Sequence, residues 1–174
     1  MEIRALRPSD DRSAFQCGDE ALDRFFRRYA GQNQFRHHLG VTYVAVDGGR
    51  VLGFVTVAPR HVEIDELPER ARKKLPRYPL PVLGLARLAV DKQAQSTGLG
   101  GKLLRFVLEL ASTMADELGC AGIVVDAKPG AVEFYAKYGF APLELLEGRS
   151  QARPPPTPMW LPIQAVKVAS GPAH

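Results

Sequence analysis

Apolar positions follow two periods along this chain, and each change of period marks a new element. Ile3 to Leu6 reads as a short first strand. Leu22, Phe25, Phe26 and Tyr29 stand at i, i+3, i+4 and i+7, which places them on one helical face. Arg24, Arg27 and Arg28 fall on or near the other side. Val41 to Val46 and Val51 to Val57 are β-branched runs joined by Asp47-Gly48-Gly49-Arg50, a hairpin signal. Pro68 to Leu75 reads as a short basic helix, and Leu80 to Val90 as a strand. A long helix comes next over 102–118, with Leu104, Val107, Leu108, Ala111, Ala115 and Leu118 as its buried stripe and Gly119 ending it. Ile123 to Asp126 is a short buried-type strand, and Pro129 suits the first turn of another helix, ended by Gly139. Gln151 to Pro158 is proline-rich and reads as a loop. Met159, Leu161 and Ile163 then alternate as a last strand, where Pro162 implies an edge or a bulge.

Composition narrows the setting. A chain of 174 residues that is 45% hydrophobic is long enough for one domain with a real core. No run approaches the roughly 20 apolar residues of a membrane span. The start, Met1-Glu2-Ile3-Arg4, lacks the basic-then-apolar onset of a secretory signal, so a cytoplasmic location is expected. Cys17 and Cys120, without C-x-x-C spacing, fit a reducing compartment and argue against structural zinc. His37-His38 is adjacent rather than i, i+4, a poor metal pair, and no metal is expected.

The chemistry begins between the strand and the long helix, at Gln95-Ser96-Thr97-Gly98-Leu99-Gly100-Gly101. Glycines let backbone approach a ligand closely. The helix they open offers unpaired N–H groups and the positive end of its dipole, which suits a pyrophosphate. A P-loop fails, because Lys102 is followed by Leu103 and Ser96 stands where the first glycine belongs. A dinucleotide fingerprint fails at Leu103, in place of the third glycine, and too little chain remains for its second half. On these residues alone an ordinary helix-capping turn stands beside the cradle as an equal reading. Two elements further along the chain shift the balance: the strand at 123–126, then a helix carrying Phe134-Tyr135-Ala136-Lys137-Tyr138-Gly139-Phe140.

Q-x-x-G-x-G between strand and long helix, then a strand and a helix with Phe-Tyr, resembles the two central motifs of the GNAT acyl-CoA N-acetyltransferases. Phe15-Gln16-Cys17-Gly18, Leu22-Asp23-Arg24-Phe25-Phe26, Arg87-Leu88-Ala89-Val90-Asp91, Val125-Asp126-Ala127 and Met159-Trp160-Leu161-Pro162 narrow it, being similar to the GNAT toxins of bacterial toxin–antitoxin pairs. The likeness covers nearly the whole chain, with loops as gaps. It implies a single α/β domain over 1–174 with a mixed, mostly antiparallel sheet flanked by helices. It implies acetyl-CoA as co-substrate, its acetyl and pantetheine arm aligned by the backbone of Ala89 and Val90. Gln95, Ser96, Thr97, Gly98, Leu99, Gly100, Gly101 and Lys102 would hold the pyrophosphate. Tyr135 matches the general acid, while Phe134 and Tyr138 read as packing. The toxins acetylate the amino acid on charged tRNA, which blocks translation; each is restrained by a small antitoxin, and many are homodimers.

Two features bear on the acceptor independently. Leu85 to Val90 carries no acid, and its polar member is Arg87. A lysine amine, with pKa about 10.4, is neutral in fewer than about one molecule in a thousand at pH 7, whereas an α-amine near 7.7 to 8.0 is neutral in roughly a tenth. A site without a base therefore suits an α-amine, with Asp91, Glu63 or a water chain open as a base. Net charge is +4, from 23 basic against 19 acidic residues, and the basic ones cluster. Arg24, Arg27, Arg28, Arg36, His37 and His38 form one group, Arg70 to Arg77 a second, and Arg149 with Arg153 a third. If they converge they make a phosphate-binding surface for RNA, with Arg27, Arg28 and Arg87 touching substrate; solvated helix faces are the other reading. Two further classes stand beside the tRNA enzyme. One is a GNAT acting on a small-molecule or protein amine; the other is a non-catalytic module that binds acetyl-CoA and partners.

Overall fold

Asp47 pairs with Arg50 across a two-residue loop in which Gly48 and Gly49 take φ of 58° and 78°. Two consecutive left-handed residues are what a primed turn requires, so this pair sets the register of the first hairpin. The computed structural model describes residues 1–77, 79–143 and 155–170, with backbone alone at 169 and 170. Its strands are β1 (Glu2–Ala5), β2 (Val41–Asp47), β3 (Arg50–Val62), β4 (Leu80–Val90), β5 (Gly122–Ala127), β6 (Ala141–Pro142) and β7 (Thr157–Pro162). They form one open, mixed sheet in the order β1-β2-β3-β4-β5-β7-β6, in an α/β fold. The pairs β1–β2, β2–β3, β5–β7 and β6–β7 are antiparallel. By its contacts the chain divides into two compact units, Met1–Ala58 with Leu85–Val107, and Pro59–Gly84 with Leu108–His174.

In the first unit Phe15, Phe25, Phe26 and Phe54 make an aromatic core. Phe26 stacks on Phe54 with centroids 4.4 Å apart, and Phe15 meets both rings edge-on. Phe25 and Phe26 come from a helix that starts as α1 (Glu20–Arg24), where the Asp19 carboxylate accepts from the N–H groups of Ala21 and Leu22. The helix then widens into a π-helical stretch, Phe25–Tyr29, and a second one, Gln32–Arg36. This overturns one expectation: Tyr29 is exposed (44%) and Ala30 is buried in its stead. The Ala30 N–H closes on Phe25 O, an i to i+5 bond, so the wide turn brings the residue after the expected one back to the core. A β-carbon added at Gly53 would lie 3.0 to 3.2 Å from Leu103, Leu99 and the Ala89 carbonyl, which is how closely the long helix approaches β3.

That helix, α3 (Leu99–Glu117), buries Leu103, Leu104, Val107, Leu108 and Ala111. Its end differs from the sequence reading, for Leu118 is 85% exposed. The N–H groups of Leu118 and Gly119 both close on Met114 O, and Gly119 (φ 108°) turns the chain away before Leu118 can face inward. In the second unit Val62, Leu67, Leu80, Val82, Val124 and Trp160 form a core, with Ala71 of α2 (Glu69–Arg72) packed on it. A turn at Pro129–Ala131 leads into α4 (Val132–Ala136), and Gly139 (φ 95°) ends the excursion.

The C-terminal strand needs correction at both ends. Thr157 and Pro158, read as loop, belong to β7; residues 151–154 lie outside the described ones. Ile163 is the first residue of α5 (Ile163–Ser170) rather than a strand position. Pro162 ends β7 at a position that is locally an edge, as expected, with no bulge: β7 has β5 along one side, and the two-residue β6 on the other stops short of it. β6 pairs only with Trp160 and Met159, so the missing N–H of Pro162 interrupts no bond on that side. Among the described residues no helix is long and apolar enough to cross a membrane.

Candidate active site

β4 delivers the chain to the glycine turn through Asp91. This side chain is buried and accepts from the N–H groups of Gln93 at 3.0 Å and Gln16 at 3.1 Å, with Arg50 at 3.4 Å. One of the two carboxylates open as a base is therefore committed to holding backbone. Glu63, the other, is exposed in the second unit.

The turn at 95–98 contains two left-handed residues, Ser96 (φ 64°) and Gly98 (φ 86°). Lys102 N–H donates to Gly98 O at 3.2 Å, so Gly98 caps α3 and the N–H groups of Leu99, Gly100 and Gly101 form the open first turn. A β-carbon at Gly98 would meet nothing within 4 Å. A 19-residue helix puts its positive dipole end there, which fits an anion such as a pyrophosphate. The side chains divide. Lys102 stays exposed at the mouth, Leu99 is buried, and the Thr97 hydroxyl turns back to Ala94 O. The Gln95 amide also turns back, donating to Val90 O at 2.9 Å and Cys17 O at 2.8 Å. Gln95, Ser96 and Thr97 thus offer a ligand backbone more than side chains. Ala89 is buried just before the turn, and Val90 is half-buried.

Beside the turn, in the same unit, lies a cleft of about 400 Å³ lined by Gln16, Gly18, Glu20, Asp23, Arg24, Arg27, Arg28 and Lys92. Four cations face two carboxylates, and Asp23 is buried, accepting from Cys17 N–H at 2.8 Å. Arg27 donates from Nε to Phe15 O at 3.0 Å and lies 3.8 Å from Asp23, while Arg28 is exposed. Arg87 is not among the lining residues: its guanidinium sits 3.6 Å above the Phe25 ring, and burial lowers its pKa. Sequence reasoning missed Gln16 and Lys92 as cleft residues; the signal lay in the F-Q-C-G run, where a β-carbon added at the glycine would lie 3.3 Å from Lys92 Cε. Cys17 is half-buried here, and burial, with Asp23 and Asp19 nearby, pushes its thiol up to about 11.

Tyr135 belongs to the second unit. It is buried against Phe134 and Phe140 with centroids 5.1 and 5.5 Å away, and burial pushes its hydroxyl up to about 12. Phe134 also packs on Tyr138, at 5.6 Å. This unit holds a second charged depression, of about 310 Å³, lined by Ile64, Asp65, Glu69, Arg72, Lys73 and Arg77. Arg36, His37 and His38 are exposed in the first unit, and Arg149 and Arg153 lie outside the described residues.

Known proteins share this arrangement. The acetyltransferase (GNAT) domain family matches residues 38–142. Over 140 residues the chain is 36% identical to the tRNA-acetylating toxin of Mycobacterium tuberculosis, covering 79% of this chain and 82% of that protein. AtaT complexed with acetyl-methionyl-tRNAfMet superposes with a TM-score of 0.83 at 26% identity, covering 96% of this chain and 97% of that one. AtaTR bound with AcCoA gives 0.77 at 26% identity, covering 96% of each chain. The glycine turn, the helix it opens and these likenesses agree, and the chain belongs to the GNAT acetyltransferase family.

Proposed function

We propose that this protein transfers the acetyl group of acetyl-CoA to the α-amino group of an aminoacyl-tRNA and so blocks translation as a toxin, held in check by a small antitoxin. The observation that carries this reading is the pairing, in one unit, of an anion-ready helix start with a basic cleft lined by Arg24, Arg27, Arg28 and Lys92. The name of the Mycobacterium tuberculosis relative and the AtaT complex with acetylated tRNA support the substrate; the AtaTR complex with AcCoA supports the donor. We read the whole chain as one domain, because the family match at 38–142 runs through segments of both units. We place it in the cytoplasm, where charged tRNA is.

The amine nitrogen attacks the thioester carbon, the C–S bond breaks, and the thiolate needs a proton. Tyr135, with its pKa pushed up to about 12, is fully protonated at neutral pH and can supply one. Full transfer to a thiolate of pKa about 8.5 is uphill by about 5 kcal/mol. The proton therefore moves as the C–S bond breaks, and the phenolate recovers one from the acylated nitrogen. With Asp91 committed to backbone, β4 offers no carboxylate to strip a lysine ammonium, which suits an α-amine already partly neutral. Arg27 and Arg28 would contact tRNA phosphates, and the N–H groups of 99–101 the pyrophosphate.

The test is transfer of labelled acetyl from acetyl-CoA to total charged tRNA, with deacylated tRNA and lysine peptides in parallel. Label confined to charged tRNA is expected. Label on peptides or free amines instead would overturn the tRNA substrate.

A further inference from the structure

Four residues, Phe15-Gln16-Cys17-Gly18, run between the glycine turn and the basic helix, and their backbone is held from both sides. From the turn side, Gln95 Nε2 donates to Cys17 O at 2.8 Å, Lys92 N–H donates to Gln16 O at 2.9 Å, and Asp91 accepts from Gln16 N–H at 3.1 Å. From the helix side, Asp23 accepts from Cys17 N–H at 2.8 Å and Arg27 Nε donates to Phe15 O at 3.0 Å. The same Gln95 amide holds Val90 O at 2.9 Å, where β4 ends. Gly18 (φ 102°) closes the segment against the Lys92 stem, where a β-carbon would lie 3.3 Å away. Next to Gln95, Ser96 keeps a left-handed conformation that costs a non-glycine residue about 1 to 2 kcal/mol and persists only if its surroundings over-determine it.

We infer that this segment is a strap coupling donor binding at the glycine turn to substrate binding in the basic cleft, and that Gln95 is the positioning residue that fastens it. The substrate half rests on the tRNA reading above. Gln95 lines no part of the cleft, and Arg27 no part of the turn; they are linked through the segment, by Gln95 on Cys17 O and Arg27 on Phe15 O, with Asp23 joining Cys17 N–H to Arg27. An anion that settles the turn therefore also settles Arg27, and by linkage the effect is reciprocal. Gln95 is exposed apart from its two amide bonds, so replacing it removes the fastening without opening the core.

The test is a double-mutant cycle on acetyl-CoA affinity, by calorimetry, with Gln95→Met and Arg27→Met, and thermal midpoints as a check on folding. We expect Kd to rise about tenfold in Gln95→Met and about threefold in Arg27→Met, with the double variant no worse than about tenfold, because the strap is already loose. In steady state at saturating acetyl-CoA, Gln95→Met raises KM for charged tRNA by about threefold or more, a larger change than in kcat. Gln95→Asn, too short to reach both carbonyls, should behave alike. A double variant near the additive product of about thirtyfold, or an unchanged KM for charged tRNA, overturns the strap. If the wild-type protein modifies no charged tRNA, the substrate reading falls, and the calorimetric cycle still decides the coupling.

Discussion

Replacing Tyr135 by Phe removes one oxygen and keeps the ring that packs on Phe134 and Phe140. As a general acid, the hydroxyl is worth about 10²- to 10⁴-fold in kcat, while acetyl-CoA affinity should stay within about twofold. The pH profile adds a sharper test. With its pKa near 12, about one Tyr135 hydroxyl in a thousand is ionised at pH 9, against about one in ten for an ordinary tyrosine. Activity should therefore climb as the α-amine loses its proton around pH 8 and then stay level to about pH 11. Stability supplies a second readout. A hydroxyl whose folded pKa is raised costs nothing below about pH 10 and destabilises the fold progressively as pH rises from about 10 to 12, by about 3 kcal/mol in all. Tyr135→Phe should abolish that share of the alkaline loss. Stopped-flow turnover and denaturant titrations from pH 7 to 11 measure both. A variant within about threefold of wild-type kcat would refute the acid role, and a wild-type rate falling with a midpoint near pH 9 to 10 would refute the raised pKa.

Other expectations come from the geometry. Gly98→Ala should cost about 1 kcal/mol of stability from the left-handed conformation alone, since its methyl group would meet no protein atom within 4 Å; a urea melt that is unchanged would refute this. Arg28→Glu should raise KM for charged tRNA several-fold and lower the salt slope of binding by about 0.7 to 0.9 for a lost phosphate contact, whereas an unchanged slope would take that residue out of the RNA surface. Asp10 accepts from Arg4 through both oxygens, at 2.7 and 2.9 Å, and Arg4 holds its carboxyl below the usual range. That stability is complete above about pH 4 and is lost as pH falls through the depressed pKa, so Asp10→Asn should destabilise at pH 7 by about 1 to 3 kcal/mol and by less near pH 2, read by urea melts.

Much of this architecture could be read from the chain, and the failures share a cause. β4 was legible to the residue because the apolar run at 80–90 stops at a charged residue and a glycine turn. Gly48-Gly49 was legible because few residues fill two left-handed positions in a row. Tyr29 was misread because the 3.6-residue period assumes an α-helix, and nothing in Phe25 to Tyr29 announces the wider π turns. Leu118 was misread because a helix end is decided by which carbonyl captures the last N–H groups, here Met114, and an apolar period does not encode that choice. Ile163 continues the alternation of Met159 and Leu161, yet the chain turns helical directly after Pro162. At the site, the glycine turn and the Arg27–Arg28 pair were visible as motifs. Lys92 and Gln16 were not, since they reach the cleft through pairing between segments some 75 residues apart.

The thiol beneath the glycine turn has a practical corollary. At pH 7 a cysteine with a pKa near 11 is thiolate in only about one molecule in ten thousand, and the thiolate is the species that reacts with maleimides and iodoacetamides. Cys120 is buried, and burial raises its pKa too. Both native sulfurs should stay silent to such reagents on a labelling timescale of minutes. A single cysteine introduced at an exposed position, such as Lys102 at the mouth of the turn, could then carry a fluorophore with no prior removal of native thiols. Ligand arrival at the turn would be followed by light in the otherwise unaltered chain.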